Sequence, residues 1–199
     1  MKKAPQLPGM ILMGAQMRLL PPLLPFMFFL VAAVSHVLVW AGLFLVADEV
    51  PGWSGGPGPV LAVLHVLTIG VMAATAIGAA IQLLPVATGL AHRSMVPTVL
   101  MASLFLPGYG FLVAGFASAG PFLMSIGALL TVLALSVFLY VIVSLLWRAT
   151  TLRLAVAHAW ISMAALAGLL GLGGILVLDF EFAWAEEHQR LAAQHMILA

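Results

Sequence analysis

The 199-residue chain contains no cysteine and very few charged residues. The absence of cysteine excludes disulfides, cysteine-ligated iron–sulfur clusters and covalently attached c-type haem. Only 7% of the residues are charged, whereas soluble domains carry roughly 25%. Hydrophobic residues make up 64% of the chain, and no run of basic residues is typical of a nucleic-acid partner. The composition therefore predicts a membrane protein whose main partner is the lipid bilayer.

The charged residues are unevenly distributed along the chain. All six acids lie at 48–49 and 179–187, and six of the seven bases lie elsewhere. The uncharged stretches between them are long enough to cross a membrane, because a hydrocarbon core of about 30 Å needs about 20 apolar residues. We expect an all-α, polytopic transmembrane bundle of five full helices and the start of a sixth at about residue 190. The predicted full helices cover about 22–46, 60–84, 95–117, 121–147 and 154–178.

The order of basic and acidic segments predicts the orientation of the bundle. Basic residues collect on the cytoplasmic side of membrane proteins. They alternate here with the acidic segments, so we expect a cytoplasmic N-terminus and acidic loops on the outer side. The expected location is the inner (cytoplasmic) membrane of a bacterium. The basic residues that mark the cytoplasmic side are Lys2, Lys3, Arg18, Arg93, Arg148 and Arg153.

The two ends of the chain differ from the helices between them. Residues 1–20 form a lead-in to a single bundle at 21–199, and this lead-in is either an amphipathic interfacial helix or disordered. The sixth apolar run begins near Leu191 and continues for only nine residues to Ala199, which is too short to span a bilayer. We expect either a fragment of a longer protein, which we favour, or a re-entrant last helix.

Histidines are the candidates for chemistry, because no Asp, Glu, Lys or Arg is predicted within the hydrocarbon. An ionisable side chain inside a membrane is costly and marks a functional candidate. At 1.5 Å per residue, His65 lies roughly 8 Å, His36 roughly 15 Å and His195 about 6–8 Å from the outer end. The other histidines are His188 at the outer boundary, His158 in the inner half and His92 in a cytoplasmic loop.

Imidazoles at similar depth on different helices are typical of a b-type haem site, in which two histidines ligate the iron. His65 with His195 meets this criterion best, and His65 with His36 is the next choice. For each ring the alternative is a hydrogen bond to a helix carbonyl or a hydroxyl. His188 beside Glu186 and Glu187 is a weaker candidate for a metal contact. No His-x-x-x-His or Glu-x-x-His spacing occurs within a helix, so a metal motif on one helix is not predicted.

The second predicted helix carries a resemblance to a known family. Its sequence reads LHVLTIGVM at 64–72 and GAAIQLLPV at 78–86. It resembles the second helix of haem–copper oxidase subunit I-like proteins, most closely the divergent cbb-like and NnrS-like members. The resemblance covers about 25 residues of the N-terminal part of that family. It implies that His65 ligates a low-spin haem b near the outer end of this helix.

The same resemblance implies an oxidoreductase of the respiratory chain, concerned with electron transfer or with O2 or NO. It also implies that His195 lies near the position of a haem iron or copper ligand, and that other membrane subunits or a missing C-terminal half complete the protein. Two alternatives remain: a cofactor-free structural subunit of a larger membrane complex, and a transporter or channel. The polar residues that would line a transport path are Ser35, Thr68, Thr75, Gln82, Ser103, Ser125 and Ser162.

Overall fold

A computed structural model describes residues 19–182 and 187–198, and these ranges contain helices and connecting turns but no strand. Five of the helices are long and apolar enough to cross a membrane, which confirms the prediction of an all-α transmembrane bundle. Most of the lead-in at 1–20 lies outside the described residues. The helices are α1 (Leu23–Leu45), α2 (Pro59–Thr88), α3 (Val96–Ser118), α4 (Pro121–Leu146), α5 (Arg153–Phe182) and the short α6 (His188–Leu198), with one 3-10 turn at Val50–Gly52.

The basic end of α2 shows how the sequence sets a helix boundary. The helix was expected to stop at residue 84, but it continues through Pro85 to Thr88. Pro85 has no N–H to offer the Ile81 carbonyl. A ring nitrogen of His92 lies 2.8 Å from that carbonyl and donates to it instead. Gly89 then ends the helix in the left-handed region with φ 74°, a conformation that favours glycine.

The middle of α2 departs from regular α-helical geometry. Its first part, Pro59–His65, is α-helical, and Val66–Ala73 is π-helical. Ala74–Thr88 is again α-helical. A π-helix closes its hydrogen bonds over five residues instead of four, and such segments are rare and frequently lie at functional sites. The π-helical segment begins immediately after His65, the residue that the sequence marks as the best candidate ligand.

Helices that follow one another in the chain pack side by side from α1 to α6. The α3–α4 contact is the most extensive, and glycines explain its closeness. A Cβ at Gly108 would lie 2.7 Å from the backbone nitrogen of Thr131 on α4. Added methyl groups at Gly115 and Gly127 would also collide with the backbone of the facing helix. In lipid, where apolar side chains gain little by leaving the solvent, such close backbone approach stabilises helix pairs.

The interior of the bundle contains two main apolar clusters. The end of the bundle that carries Arg93, Arg148 and Arg153 is called the basic end, and the end that carries Asp48 and Asp179 the acidic end. The larger cluster lies toward the basic end and joins α1, α2, α3 and α4. The smaller cluster lies toward the acidic end and contains Ala62, Leu112, Phe116, Met124 and Ala128. The histidine pair described next adjoins the smaller cluster.

Candidate functional site: a histidine pair at the acidic end

His65 is held in a defined orientation at the start of the π-helical segment. Its Nδ1 lies 3.0 Å from the Leu61 carbonyl. A carbonyl can only accept, so Nδ1 carries the proton and Nε2 of the neutral ring keeps a lone pair. The ring also packs on Phe116 of α3, with ring centroids 4.4 Å apart. A histidine that ligates a metal usually donates its second ring nitrogen to a carbonyl or carboxylate in this way.

His195 reaches the same region from α6, which folds back along α5. Leu198 lies beside Gly168 and His195 beside Gly173, where an added Cβ would lie 3.1 Å from the His195 Cε1 atom. The missing side chain at Gly173 therefore gives the imidazole room against α5. These contacts place His195 against the backbone of α5.

The His195 ring also has one nitrogen without a hydrogen bond. Its Nδ1 is buried and has no partner within the described residues. Burial lowers the pKa of His195, and a hydrogen bond to the Leu169 carbonyl partly opposes that shift. The ring is therefore neutral at pH 7. A buried polar atom without a partner is uncommon in proteins, and an unseen ligand is one explanation for it.

The structure places His65 on α2 and His195 on α6 at the same end of the bundle, within range of a weak electrostatic interaction with each other. His65 makes a hydrogen bond to a helix carbonyl through Nδ1 and none through Nε2, while the unpartnered Nδ1 of His195 lies against Gly173 of α5. This is the pair that the sequence placed first among the possible haem ligands.

His36 and His158, by contrast, lie on exposed faces of the bundle. The His36 Nε2 accepts a hydrogen bond of 3.3 Å from the exposed Trp40 indole. His158 on α5 is exposed, and its Nδ1 donates to the Leu154 carbonyl over 2.8 Å. His36 has the depth expected of a partner for His65, but its side chain is exposed and its Nε2 is occupied by Trp40. His158 makes the same carbonyl hydrogen bond as His65, the alternative named for each ring, and differs from His65 in that its side chain is exposed.

The sequence did not identify Asp179 as a partner of His188. The Asp179 side chain is 4% exposed and pairs with Nδ1 of His188 across the α5–α6 connection. Sequence reasoning had placed His188 with Glu186 and Glu187. Glu187 instead bonds Arg190 over 2.8 Å, and Glu186 lies outside the described residues. The Asp179–His188 pair fixes the start of α6 against α5, and thereby positions His195 two turns further along.

A second feature that the sequence did not indicate is a pair of buried hydroxyls near the middle of the bundle. Ser35 and Tyr109 lie 2.9 Å apart, and both pack on Gly70 in the π-helical segment. Of the seven polar residues predicted to line a transport path, Ser35 alone is buried. Three others are exposed and donate to carbonyls of their own helix: Thr75, Ser103 and Ser162. These seven residues therefore do not share one buried face.

The donor set of the pair limits which metal it can hold. Among the described residues, no group of three or more His, Asp or Glu side chains could hold a metal ion. Two imidazoles are an incomplete set for a structural zinc ion, which takes four protein ligands. They are, however, a complete axial set for haem iron, because the porphyrin itself supplies the remaining four nitrogens. The residues present thus fit haem better than a bare metal ion.

Comparisons with protein-family models, with curated proteins and with solved structures found no match for this chain. The resemblance of residues 64–86 to the second helix of haem–copper oxidase subunit I-like proteins therefore stays a prediction from the sequence. The structure itself shows a helical bundle with five helices that can cross a membrane and a pair of histidines near the acidic end.

Proposed function

We propose that the chain is a haem-b-binding integral membrane protein in which His65 and His195 ligate the haem iron. The observation that carries this proposal is the presence at the acidic end of two neutral imidazoles from α2 and α6, each with one ring nitrogen that makes no hydrogen bond to the protein. A haem b in this position supplies a centre for electron transfer or for binding a diatomic gas such as O2 or NO. This function agrees with the resemblance to haem–copper oxidase subunit I.

The residues around the pair would orient the ligands. The Leu61 carbonyl fixes the His65 tautomer, and the Phe116 ring fixes its plane. Gly173 gives His195 its place on α5, while Asp179 holds the first residue of α6.

The exposed surface of α5 supports the proposal that other helices complete the protein. Only 6% of the most apolar 18-residue stretch of α5 is buried, compared with 44% of the corresponding stretches of α3 and α4. This surface is available to lipid or to other membrane subunits. In the proposed arrangement the basic end faces the cytoplasm of a bacterium and the histidine pair lies toward the outer side. A copper ion bound at His195 would also need ligands from those additional helices.

Haem content tests the proposal. The chain is expressed in a haem-producing bacterium, purified in mild detergent, and assayed for haem per chain by the pyridine haemochrome spectrum and for copper by elemental analysis. We expect stoichiometric b-type haem that is lost in His65→Ala and His195→Ala. The exposed histidines provide matched controls, so His36→Ala and His158→Ala should keep it. A folded wild-type protein without haem, or haem retained in both ligand variants, would contradict the proposal.

A further inference from the structure

A cavity at the basic end brings two arginines together with two aromatic side chains. Its volume is about 190 Å³, and α4 together with the two residues that follow it supplies most of its lining. A smaller cavity of about 30 Å³ adjoins it and shares Arg93, Tyr140 and Ser144. The two together are called the arginine cleft. The larger part is lined by Arg93, Tyr140, Val143, Ser144, Trp147 and Arg148.

The positive charge of the arginine cleft has no neutralising acid in its own part of the chain. No Asp or Glu occurs between Glu49 and Asp179, so both arginines lie in a segment without any acid. Within the described residues, the two ion pairs with acids, Asp179–His188 and Glu187–Arg190, lie at the acidic end. Two guanidinium groups beside one cavity without a carboxylate favour an anion from outside the chain.

The Arg148 side chain is already oriented for such an anion. Its Nε donates to the Ser144 carbonyl over 3.0 Å, and its Nη2 donates to the Ala91 carbonyl over 3.1 Å. An arginine has five N–H donors, so three remain for a ligand. The two bonds hold the guanidinium between α4 and the α2–α3 connection. Arg93, which lies on that connection, is exposed.

The aromatic residues place the cleft at the membrane–water interface. Trp147 is 80% exposed and Tyr140 is 62% exposed, although Tyr140 lies on the apolar helix α4 and Trp147 directly follows it. The Trp147 ring packs edge-on against Trp160, with centroids 6.0 Å apart. Tryptophan is enriched at the level of lipid headgroups. Tyr140 lies two turns further along α4 toward the bilayer centre, roughly 10 Å away, at the depth where acyl chains begin.

We propose that the arginine cleft binds the headgroup of an anionic phospholipid. The lipid phosphate lies between Arg93 and Arg148, and the first part of an acyl chain lies along Tyr140 and Val143. Basic cavities between membrane helices bind such headgroups on the cytoplasmic side. This site is remote from the histidine pair, so it does not depend on the haem proposal. A free phosphate ion carries the same kind of charge, but it would make no contact with the side chains of Tyr140 and Val143.

Lipid titration of the full chain in neutral detergent tests this proposal. Binding of phosphatidylglycerol and of phosphatidylcholine is measured by native mass spectrometry. We expect tighter binding of phosphatidylglycerol, and about fivefold weaker binding of it in Arg93→Gln, the loss expected for one interfacial arginine. Arg153→Gln removes a charge from the same end but outside the cleft, and should bind like the wild type.

Three results would overturn the proposal. Equal binding of the two lipids would show that the arginine cleft does not distinguish an anionic headgroup from a neutral one. An equal loss in Arg93→Gln and Arg153→Gln would indicate general surface charge instead of a site. Displacement of phosphatidylglycerol by inorganic phosphate or glycerol phosphate at equal concentration would indicate a site for a soluble anion. Thermal unfolding of each variant in parallel separates lost binding from lost fold.

Discussion

The two ends of α2 each place an imidazole against a helix carbonyl, and the two contacts serve different purposes. At the basic end, His92 donates to the Ile81 carbonyl, which lost its helical partner to Pro85. At the acidic end, His65 donates to Leu61 and keeps Nε2 free beside His195. His92 thus completes the hydrogen bonding of a helix, whereas His65 is oriented by one. The His92 ring serves a carbonyl that would otherwise lack a donor, and its role is structural. The His65 ring has a second nitrogen that itself lacks a partner, which makes His65 a candidate ligand.

The largest effect is expected from filling the space beside the histidine pair. In Gly173→Leu the new side chain would occupy the position of the His195 ring, whose Cε1 lies 3.1 Å from an added Cβ. We expect haem binding to weaken by about 5- to 150-fold, as estimated from an overpacking cost of about 1–3 kcal/mol. Gly171→Leu is the matched control, because a Cβ at Gly171 meets no atom within 4 Å. Equal haem content in both variants would show that Gly173 does not position the ring.

A mutational cycle at the basic end tests the structural role of His92. His92→Ala leaves the Ile81 carbonyl without a donor, and we expect a loss of about 1–3 kcal/mol in the free energy of unfolding. Pro85→Ala restores a backbone N–H to the same carbonyl. His92→Ala should therefore cost much less in the Pro85→Ala background. Unfolding in a detergent–denaturant titration measures all four proteins, and additive effects would contradict the assignment. Haem content should stay unchanged throughout.

The fold was largely predictable from the distribution of charge. The spanning helices follow the uncharged stretches, because a membrane helix needs only length and an apolar composition. The extension of α2 past Pro85 was not predicted, since it depends on a hydrogen bond from His92 to the carbonyl of Ile81, eleven residues earlier in the chain. The π-helical segment at Val66–Ala73 was missed as well, because its hydrogen-bond pattern has no signature in composition.

The sequence predicted how deep each histidine lies in the membrane, but not which of their side chains face the interior of the bundle. His36 and His65 both lie in the outer half of the predicted bundle, yet the His36 side chain is exposed while its neighbour Ser35 is buried. In a soluble helix, polar residues would have marked the exposed face. In α1 both faces are apolar because one contacts lipid, so periodicity carries little information. The approach of His195 to His65 depends on Asp179 holding α6, a contact between segments that no local pattern predicts.

The smallest expected effect concerns pH. Burial lowers the pKa of His195 from its ordinary value of 6.5, so the docked ring resists protonation. Docking of α6 is then favoured above pH 6.5 and is weakened as the pH falls below it. We expect haem affinity to be about fourfold lower at about pH 6.0 than at about pH 7.5. The same titration on His188→Gln shows whether the effect comes from the nearby surface imidazole, in which case this variant would lose it.

The electron paramagnetic resonance spectrum of the oxidised protein tests the central claim most directly, namely that His65 and His195 share one iron. We expect a low-spin ferric signal from two imidazole ligands in the wild type and in His92→Ala. In His195→Ala, any haem that remains should become high-spin, because one axial ligand is gone. A wild-type protein without a ferric haem signal, or a low-spin signal that persists unchanged in His195→Ala, would contradict the account.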